Sequence, residues 1–176
     1  MIPVLETTRL RLRPPSNDDL EAIYLLGSNP NVMRYISNGK TLNRIEAQSD
    51  LKNRISASQH HFGYWITELK NTREIIGWSA LKPLNDTEEI EVGYRLKEEY
   101  WGKGYATEAS RRLLQYGFRE LNLPRIVSVA LEENRASTRV MEKIGLQYER
   151  RDTFYGLECV LYAMNNANYF RTIAIK

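Results

Sequence analysis

Three strand-patterned segments, FGYWITEL, EIIGWSALKPL and EIEVGYRL, follow one another over residues 62–96 and then run through the turn WGKGY into a helix-patterned segment. They are rich in β-branched and aromatic residues and separated only by KNTR and NDTE, the composition of consecutive strands. KNTR is short enough to close a hairpin, so the first two segments predict an antiparallel pair. A further strand, RIVSVAL, follows the helix, and a strand–helix–strand passage requires a crossover. A meander that leaves its sheet through a helix and re-enters it predicts a mixed sheet with helices on both faces.

The flanks extend this pattern. RLRLRP alternates Leu10 and Leu12 with Arg9, Arg11 and Arg13 on one other face, and stops at Pro14 and Pro15: a half-buried strand. SNDDLEAIYLLG opens with Ser16 and Asn17, carries Asp18 and Asp19 in its first turn and closes at Gly27, a short helix. Ile45, Leu51 and Ile55 recur at partly helical spacing and predict a second helix within 43–59. The helix after the turn spans about Tyr105 to Leu121, with Ala106, Ala109, Leu113, Leu114, Gly117 and Leu121 inward. NRASTRVMEKIG is a helix ending at Gly145, and LQYERRDTFYGLECVLYAM gives two strands turning at Gly156. The order β-α-α-β-β-β-α-β-α-β-β predicts an α/β (α+β) fold with a mixed, mostly antiparallel sheet of about 6–7 strands. With no repeat or linker among the 176 residues, one domain over 1–176 is expected.

Composition narrows the function. No apolar run approaches the roughly 20 residues of a membrane helix, and MIPVLETTRLRLR lacks a signal peptide's apolar segment, so no membrane association and a cytoplasmic location are expected. The single cysteine, Cys159, excludes an internal disulfide or a cysteine metal cluster and suits a reducing compartment. A net charge of +3, without a long basic run interleaved with aromatics, argues against nucleic-acid binding.

The chemically distinctive segment is WGKGYATEA. If Gly104 begins the helix, backbone N–H groups from about Gly102 to Thr107 lack intrahelical partners and point out of the helix N-terminus, which favours an anion. Two glycines let the backbone approach that anion closely, and Lys103 adds positive charge at the mouth; the glycines alone would equally make a tight turn. A Walker loop needs its lysine after the second glycine, whereas Lys103 precedes it. A dinucleotide fingerprint needs a third glycine where Thr107 stands, and although Glu132 could imitate its acidic residue, no further βαβ unit follows.

The same segment resembles the coenzyme A-binding sequence Q/R-x-x-G-x-G/A of the GNAT superfamily of N-acetyltransferases. Gly104 and Ala106 match its last two fixed positions, and Trp101 departs from the Gln/Arg position, removing a usual polar contact. The run YWGKG is similar to the branch that acetylates the N-termini of ribosomal proteins. LETTRLRLRP with DDL resembles that branch's first strand and helix, NPNVMRYI its following loop, and NRASTRVMEKIGL its N-x-x-S helix. The likeness runs from about Leu5 to Tyr162. It implies the GNAT fold, acetyl-CoA as co-substrate without a metal, and direct transfer to a primary amine. The coenzyme-binding residues would be Trp101, Gly102, Lys103, Gly104, Tyr105, Ala106, Thr107, Asn134 and Ser137. In the family the strand before the turn splays from its neighbour, which implies main-chain contacts near Tyr94 and Leu96; such a gap, or a bulge, would explain Gly93.

Transfer from a thioester to an amine needs a neutral amine and a proton for the departing thiolate. Strand alternation puts Glu89, Glu91, Gly93 and Arg95 on one face and Ile90, Val92 and Tyr94 on the other. Glu91 resembles the family position of a glutamate base; otherwise it is a solvated carboxylate on an exposed strand face. A lysine amine of pKa ~10.4 requires about 4.6 kcal/mol to deprotonate at pH 7, an α-amine of ~7.8 only about 1, so an N-terminal acceptor could manage with a weak base. Many family members place a tyrosine seven residues after the Asn that opens the next helix, but counting from Asn134 reaches Met141, which donates nothing. Ser137 is then the candidate to polarise or orient the sulfur; the bland alternative is that Asn134 caps the helix and Ser137 is a neutral first-turn residue.

The acceptor stays open between a protein N-terminal α-amine, by resemblance, and a small-molecule amine such as an amino acid, polyamine or antibiotic. A sensor that binds acetyl-CoA without turnover is the reading from another class. Arg34, Tyr35 and Arg150 are candidates to line an acceptor pocket. His60 and His61 point opposite ways in an extended segment and cannot make a two-His metal face. Cys159, Trp65 and Trp78 are expected in the core. The tail NNANYFRTIAIK suits a strand extension or a homodimer contact.

Overall fold

The computed structural model describes residues 1–85 and 87–174. In chain order the elements are β1 Leu5–Glu6, β2 Leu10–Arg13, α1 Leu20–Ser28, α2 Pro30–Met33, α3 Arg44–Ala57, β3 Gly63–Leu69, β4 Ile75–Pro83 and β5 Ile90–Leu96. Then come α4 Tyr105–Gln115, β6 Arg125–Ala130, α5 Arg135–Lys143, β7 Gln147–Phe154, β8 Leu157–Asn165 and α6 Asn166–Ala174.

One sheet of eight strands runs in the order β1-β2-β3-β4-β5-β6-β8-β7. Every pairing is antiparallel except that of β5 with β6. The sheet is thus larger than the expected 6–7 strands, because Leu5 and Glu6 pair with Leu12 and Arg11 as an extra edge strand. Two residues are too short for alternation to declare them.

The two faces are buried differently. Val92 and Leu96 of β5 pack with Ala109 and Leu113 of α4, and with Trp65, Ile126 and Met141, in the larger core. On the other face Ile66, Trp78 and Ala80 pack under Ile23, Leu26 and Leu51 of α1 and α3. Alternation on β5 therefore sends Tyr94 toward α4 and Glu91, Gly93 and Arg95 toward α1 to α3, as expected. Trp65, Trp78 and Cys159 are buried.

Three expectations need correction. Ile45 is 80% exposed, whereas Leu51 is buried as expected, and with it Ala47 and the guanidinium-bearing Arg54. The helix after the glycine turn is α-helical only to Gln115 and continues as a π-helical turn, Tyr116–Glu120. The tail forms α6, with Tyr169 stacked on Phe118 at 4.8 Å, so it does not extend the sheet; residues 175–176 lie outside the described residues. Of the three arginines of the first strand segment, Arg11 and Arg13 bind Glu68 on β3, while Arg9, ahead of β2, binds Glu108 at the start of α4. No helix among the described residues is long and apolar enough to cross a membrane.

Candidate active site

The central gap follows from register. β5 and β6 pair only at Glu91 and Val127, after which β6 continues along β8 and leaves the C-terminal half of β5 open. The Lys97 amide donates to the Ile76 carbonyl at 2.8 Å. By the alternation of an antiparallel ladder, residues 91, 93, 95 and 97 turn their backbone groups to β4, and Tyr94 and Leu96 turn theirs into the gap. One of these is partly used: the Trp101 indole donates to the Leu96 carbonyl at 2.9 Å, tying the turn to the strand end. Gly93 sits opposite Ala80 in regular register, so it marks no bulge.

At the end of the gap, Gly102 and Gly104 adopt φ of 72° and 82°, left-handed values that side chains resist. Gly104 caps α4, whose first i to i−4 bond is Glu108 N–H to the Gly104 carbonyl. The N–H groups of Tyr105, Ala106 and Thr107 therefore have no acceptor within the helix and face outward together. The segment before β2 braces this end: Thr7 and the Arg9 side chain both donate to Glu108, each at 2.6 Å, and Arg9 Nη1 donates to the Lys103 carbonyl at 3.0 Å. The Lys103 ammonium lies 5.3 Å above the Tyr100 ring and is not on the groove wall, so it does not sit at the mouth as expected.

The gap opens into a groove of about 610 Å³. Its walls bring together Tyr94, Leu96, Trp101, Gly102, Gly104, Tyr105, Ala106, Thr107, Asn134 and Ser137, with Arg34 and Tyr35 from the segment after α2. Arg34, Arg95, Arg139 and Lys143 line it against a single acid, Glu98, so its wall is cationic and favours anionic groups. Asn134 caps α5 by accepting the Ser137 N–H at 3.2 Å. The Ser137 hydroxyl lies 3.4 Å from the Tyr94 hydroxyl, at the long end of hydrogen-bond reach. Burial pushes the Tyr94 phenol above its ordinary pKa, with the hydrogen bond to Ser137 opposing it. Met141, where the family's tyrosine was sought, is buried. A phenol does reach the groove, but from the opposite wall, on β5.

Glu91 is not the solvated carboxylate of the alternative reading. It is 7% exposed at the apex of the gap, off the groove wall. Its Oε2 accepts from Lys82 Nζ at 2.8 Å and from the Tyr155 hydroxyl at 2.6 Å. Lys82 arrives from the facing position of β4, and Tyr155 from the β7–β8 turn. The ion pair with Glu91 raises the Lys82 pKa against the effect of burial, and burial followed by the Glu91 charge pushes Tyr155 up to about 12. Arg150 pairs with Glu149 and Asp152 on the exposed outer strand, away from the groove.

Residues 9–147 match the model of the acetyltransferase (GNAT) domain family. The chain belongs to that family. As a GNAT N-acetyltransferase it is an acyltransferase that moves acetyl groups to amines, and its family draws them from acetyl-CoA. It is similar to the uncharacterized N-acetyltransferase YoaA of Bacillus subtilis, 35% identical over 85% of each chain. It is also similar to the FsC-acetyl coenzyme A-N(2)-transacetylase of Aspergillus fumigatus, 32% identical over 87% of this chain and 68% of that one. A solved structure of the ribosomal L7/L12 α-N-protein acetyltransferase in complex with coenzyme A superposes with TM-score 0.79 over 94% of this chain and 99% of that one. At 18% identity this last likeness shows the GNAT fold alone.

Several site features of this acetyltransferase were missed from the sequence. Tyr94 was assigned main-chain contacts only, yet alternation with Val92 and Leu96 already put its side chain on the α4 face. Lys82 and Tyr155 carried no signal, being nine and 64 residues from Glu91.

Proposed function

We propose that this chain is a single, cytoplasmic N-acetyltransferase domain that transfers acetyl directly from acetyl-CoA to an α-amine, the leading acceptor being the N-terminus of a protein or peptide. The observation that carries the reading is that one groove joins the outward N–H groups of α4, the open backbone edge at Tyr94 and Leu96, and the Tyr94–Ser137 hydroxyl pair.

Acetyl-CoA supplies the acetyl group as a thioester. The N–H groups of Tyr105, Ala106 and Thr107, approached across Gly102 and Gly104, hold its pyrophosphate, and Arg139 and Lys143 add charge. The free edge of β5 at Tyr94 and Leu96 orients the pantetheine arm, and Asn134 fixes the first turn of α5 beside it. The half-buried Tyr94 hydroxyl, steadied by Ser137, gives its proton to the sulfur as the carbon–sulfur bond breaks and regains one from the groove. The proton leaving the amine passes to Glu91 through water, because Glu91 does not itself line the groove. With two donors already on its Oε2, Glu91 is suited to an acceptor that needs little help, and an α-amine requires only about 1 kcal/mol at pH 7 against about 4.6 for a lysine side chain.

A second reading, a small-molecule amine, is supported by the similarity to the fungal FsC-acetyl coenzyme A-N(2)-transacetylase. The experiment that tests both is release of free coenzyme A from acetyl-CoA across N-terminal peptides, amino acids, polyamines and aminoglycosides. Turnover with α-amines above the hydrolysis background is expected. Turnover confined to polyamines or aminoglycosides would overturn the α-amine reading. Tight acetyl-CoA binding without turnover would leave a sensor in place of an enzyme.

A further inference from the structure

We infer that the acceptor carries a carboxylate in addition to its amine, and that Arg95 recognises it. This rests on the proposal above that the groove takes an amine acceptor.

Arg95 lies on the α1–α3 face of β5, two residues beyond Gly93, and opens onto the groove beside Arg34 and Tyr35. Its guanidinium is poorly matched by the protein. Nη1 contacts the Met33 sulfur at 3.3 Å, a weak acceptor, and Cζ lies 5.1 Å from the centre of the Trp78 ring. The buried Nε has no hydrogen-bond partner among the described residues. Arg54 of α3 crowds the same ring, with Cζ at 4.2 Å from its centre; its Nε is held by Asp50 at 2.8 Å, and its buried Nη1 is likewise without a partner.

Two guanidiniums thus share one aromatic ring and one carboxylate. Burial, and then the charge of Arg54, lower Arg95 to about 10, so it remains a cation at neutral pH. Stacking on Trp78 holds such a charge in place but does not supply the in-plane acceptors that its N–H groups require. A half-buried cation with a buried, unpaired Nε and no counter-ion among the described residues is unfavourable, and the imbalance is relieved when the counter-ion arrives with a ligand. The Nη2 group, which carries no hydrogen bond among the described residues, offers a carboxylate a charge-assisted bond. There is also room. A Cβ added at Gly93 would meet nothing nearer than Glu91 Oε1 at 4.0 Å, so the sheet floor between Glu91 and Arg95 is bare. Polyamines, by contrast, would bring further positive charge to this cationic wall. The carboxylate can belong to a free amino acid or to an acidic side chain near a peptide N-terminus.

The test uses matched acceptors on the full chain loaded with coenzyme A. Alanine is compared with alaninamide, and Ala-headed tripeptide amides carrying one aspartate are compared with their asparagine counterparts. Binding is read by calorimetry and turnover, separately, by thiol release. At least one carboxylate member should bind about tenfold tighter or better than its amide, the strength of a charge-assisted contact. The pair that shows this names the source of the carboxylate. In Arg95→Met the preference should vanish, and in Arg95→Lys shrink, with acetyl-CoA affinity unchanged in both. Equal binding in every pair, or a preference that survives Arg95→Met, would overturn the inference. So would a loss of acetyl-CoA affinity in the variants, which would make Arg95 a coenzyme contact. Carboxylate-selective binding without turnover would leave the inference standing and sink the acetyl-transfer reading.

Discussion

The two faces of β5 build their halves of the site by different means. The α4 face works with backbone: left-handed glycines, a helix start with outward N–H groups, and a strand edge that β6 has left open. The α1–α3 face works with buried charge: Glu91 with Lys82 and Tyr155, and Arg95 with Arg54 around Trp78. A backbone site binds any ligand of the right shape and charge, which suits a coenzyme common to the whole family. A site of buried side chains depends on partners from several segments and can differ between relatives, which suits an acceptor. On the function proposed, specificity belongs on the second face and coenzyme affinity on the first.

The largest expected effect breaks the charged face. Glu91→Gln leaves Lys82, whose side chain is 19% exposed, without its counter-ion, and should lower stability by about 3 kcal/mol in denaturant titration. Combining it with Lys82→Met should recover most of that loss, since the uncompensated charge is gone. If Glu91 takes the amine's proton, the double variant stays slow with acceptor even though it is stable; restored turnover would make the cluster purely structural.

Next is Tyr94→Phe, which removes the hydroxyl that meets Ser137. It should lower kcat about 100-fold, the scale of a lost general acid, with acetyl-CoA affinity unchanged by calorimetry. Ser137→Ala should lower kcat about tenfold in the same assay, because the phenol remains and only its orientation is lost. An unchanged kcat in Tyr94→Phe would remove the phenol from the proton path.

The contrast between the faces also explains what could be read in advance. The meander, the turn and the helix after it lie in one continuous stretch, and glycine spacing with strand periodicity declares them; the outward N–H groups follow from helix geometry. Asn134 and Ser137 were legible for the same reason, as a local cap and its first turn. The charged face was not. Glu91 looked solvated because nothing near it in sequence says that Tyr155, at a distant hairpin turn, covers it. Ile45 looked like a buried position of its helix, because spacing alone does not tell which side of α3 meets the sheet, and the side that does carries Arg54. The two-residue β1 was too short to show any period.

The backbone face gives a smaller, sharper test. In Gly104→Ala the residue must keep a φ of 82°, a strain of about 1–2 kcal/mol. Gly156 has φ 73° with nothing near an added Cβ, and lies in the β7–β8 turn. Gly156→Ala should therefore lower Tm by a similar amount while leaving acetyl-CoA affinity alone. Gly104→Ala should weaken it by up to about tenfold, measured by calorimetry. Equal affinities in the two variants would mean that the turn does not hold the coenzyme.

The smallest effect is one of pH and returns to the charged face. Tyr155 is pushed up to about 12 from an ordinary 10, chiefly by burial and then by the Glu91 charge. The folded state therefore holds this proton more tightly than the unfolded chain does. Its contribution is complete below pH 10 and is lost as the pH rises through about 12, so stability should fall across that window. Tyr155→Phe has no such proton to lose, and its denaturation midpoint should decline less steeply over the same range, once the other tyrosines common to both proteins are subtracted. At neutral pH the variant should show a second difference, because Glu91 Oε2 keeps Lys82 but loses the hydroxyl at 2.6 Å. A carboxylate freed of one donor accepts a proton more readily, so kcat with a lysine-type amine should rise relative to kcat with an α-amine. An unchanged ratio would show that the hydroxyl on Glu91 does not restrict the acceptor, and would return that role to Arg95 alone.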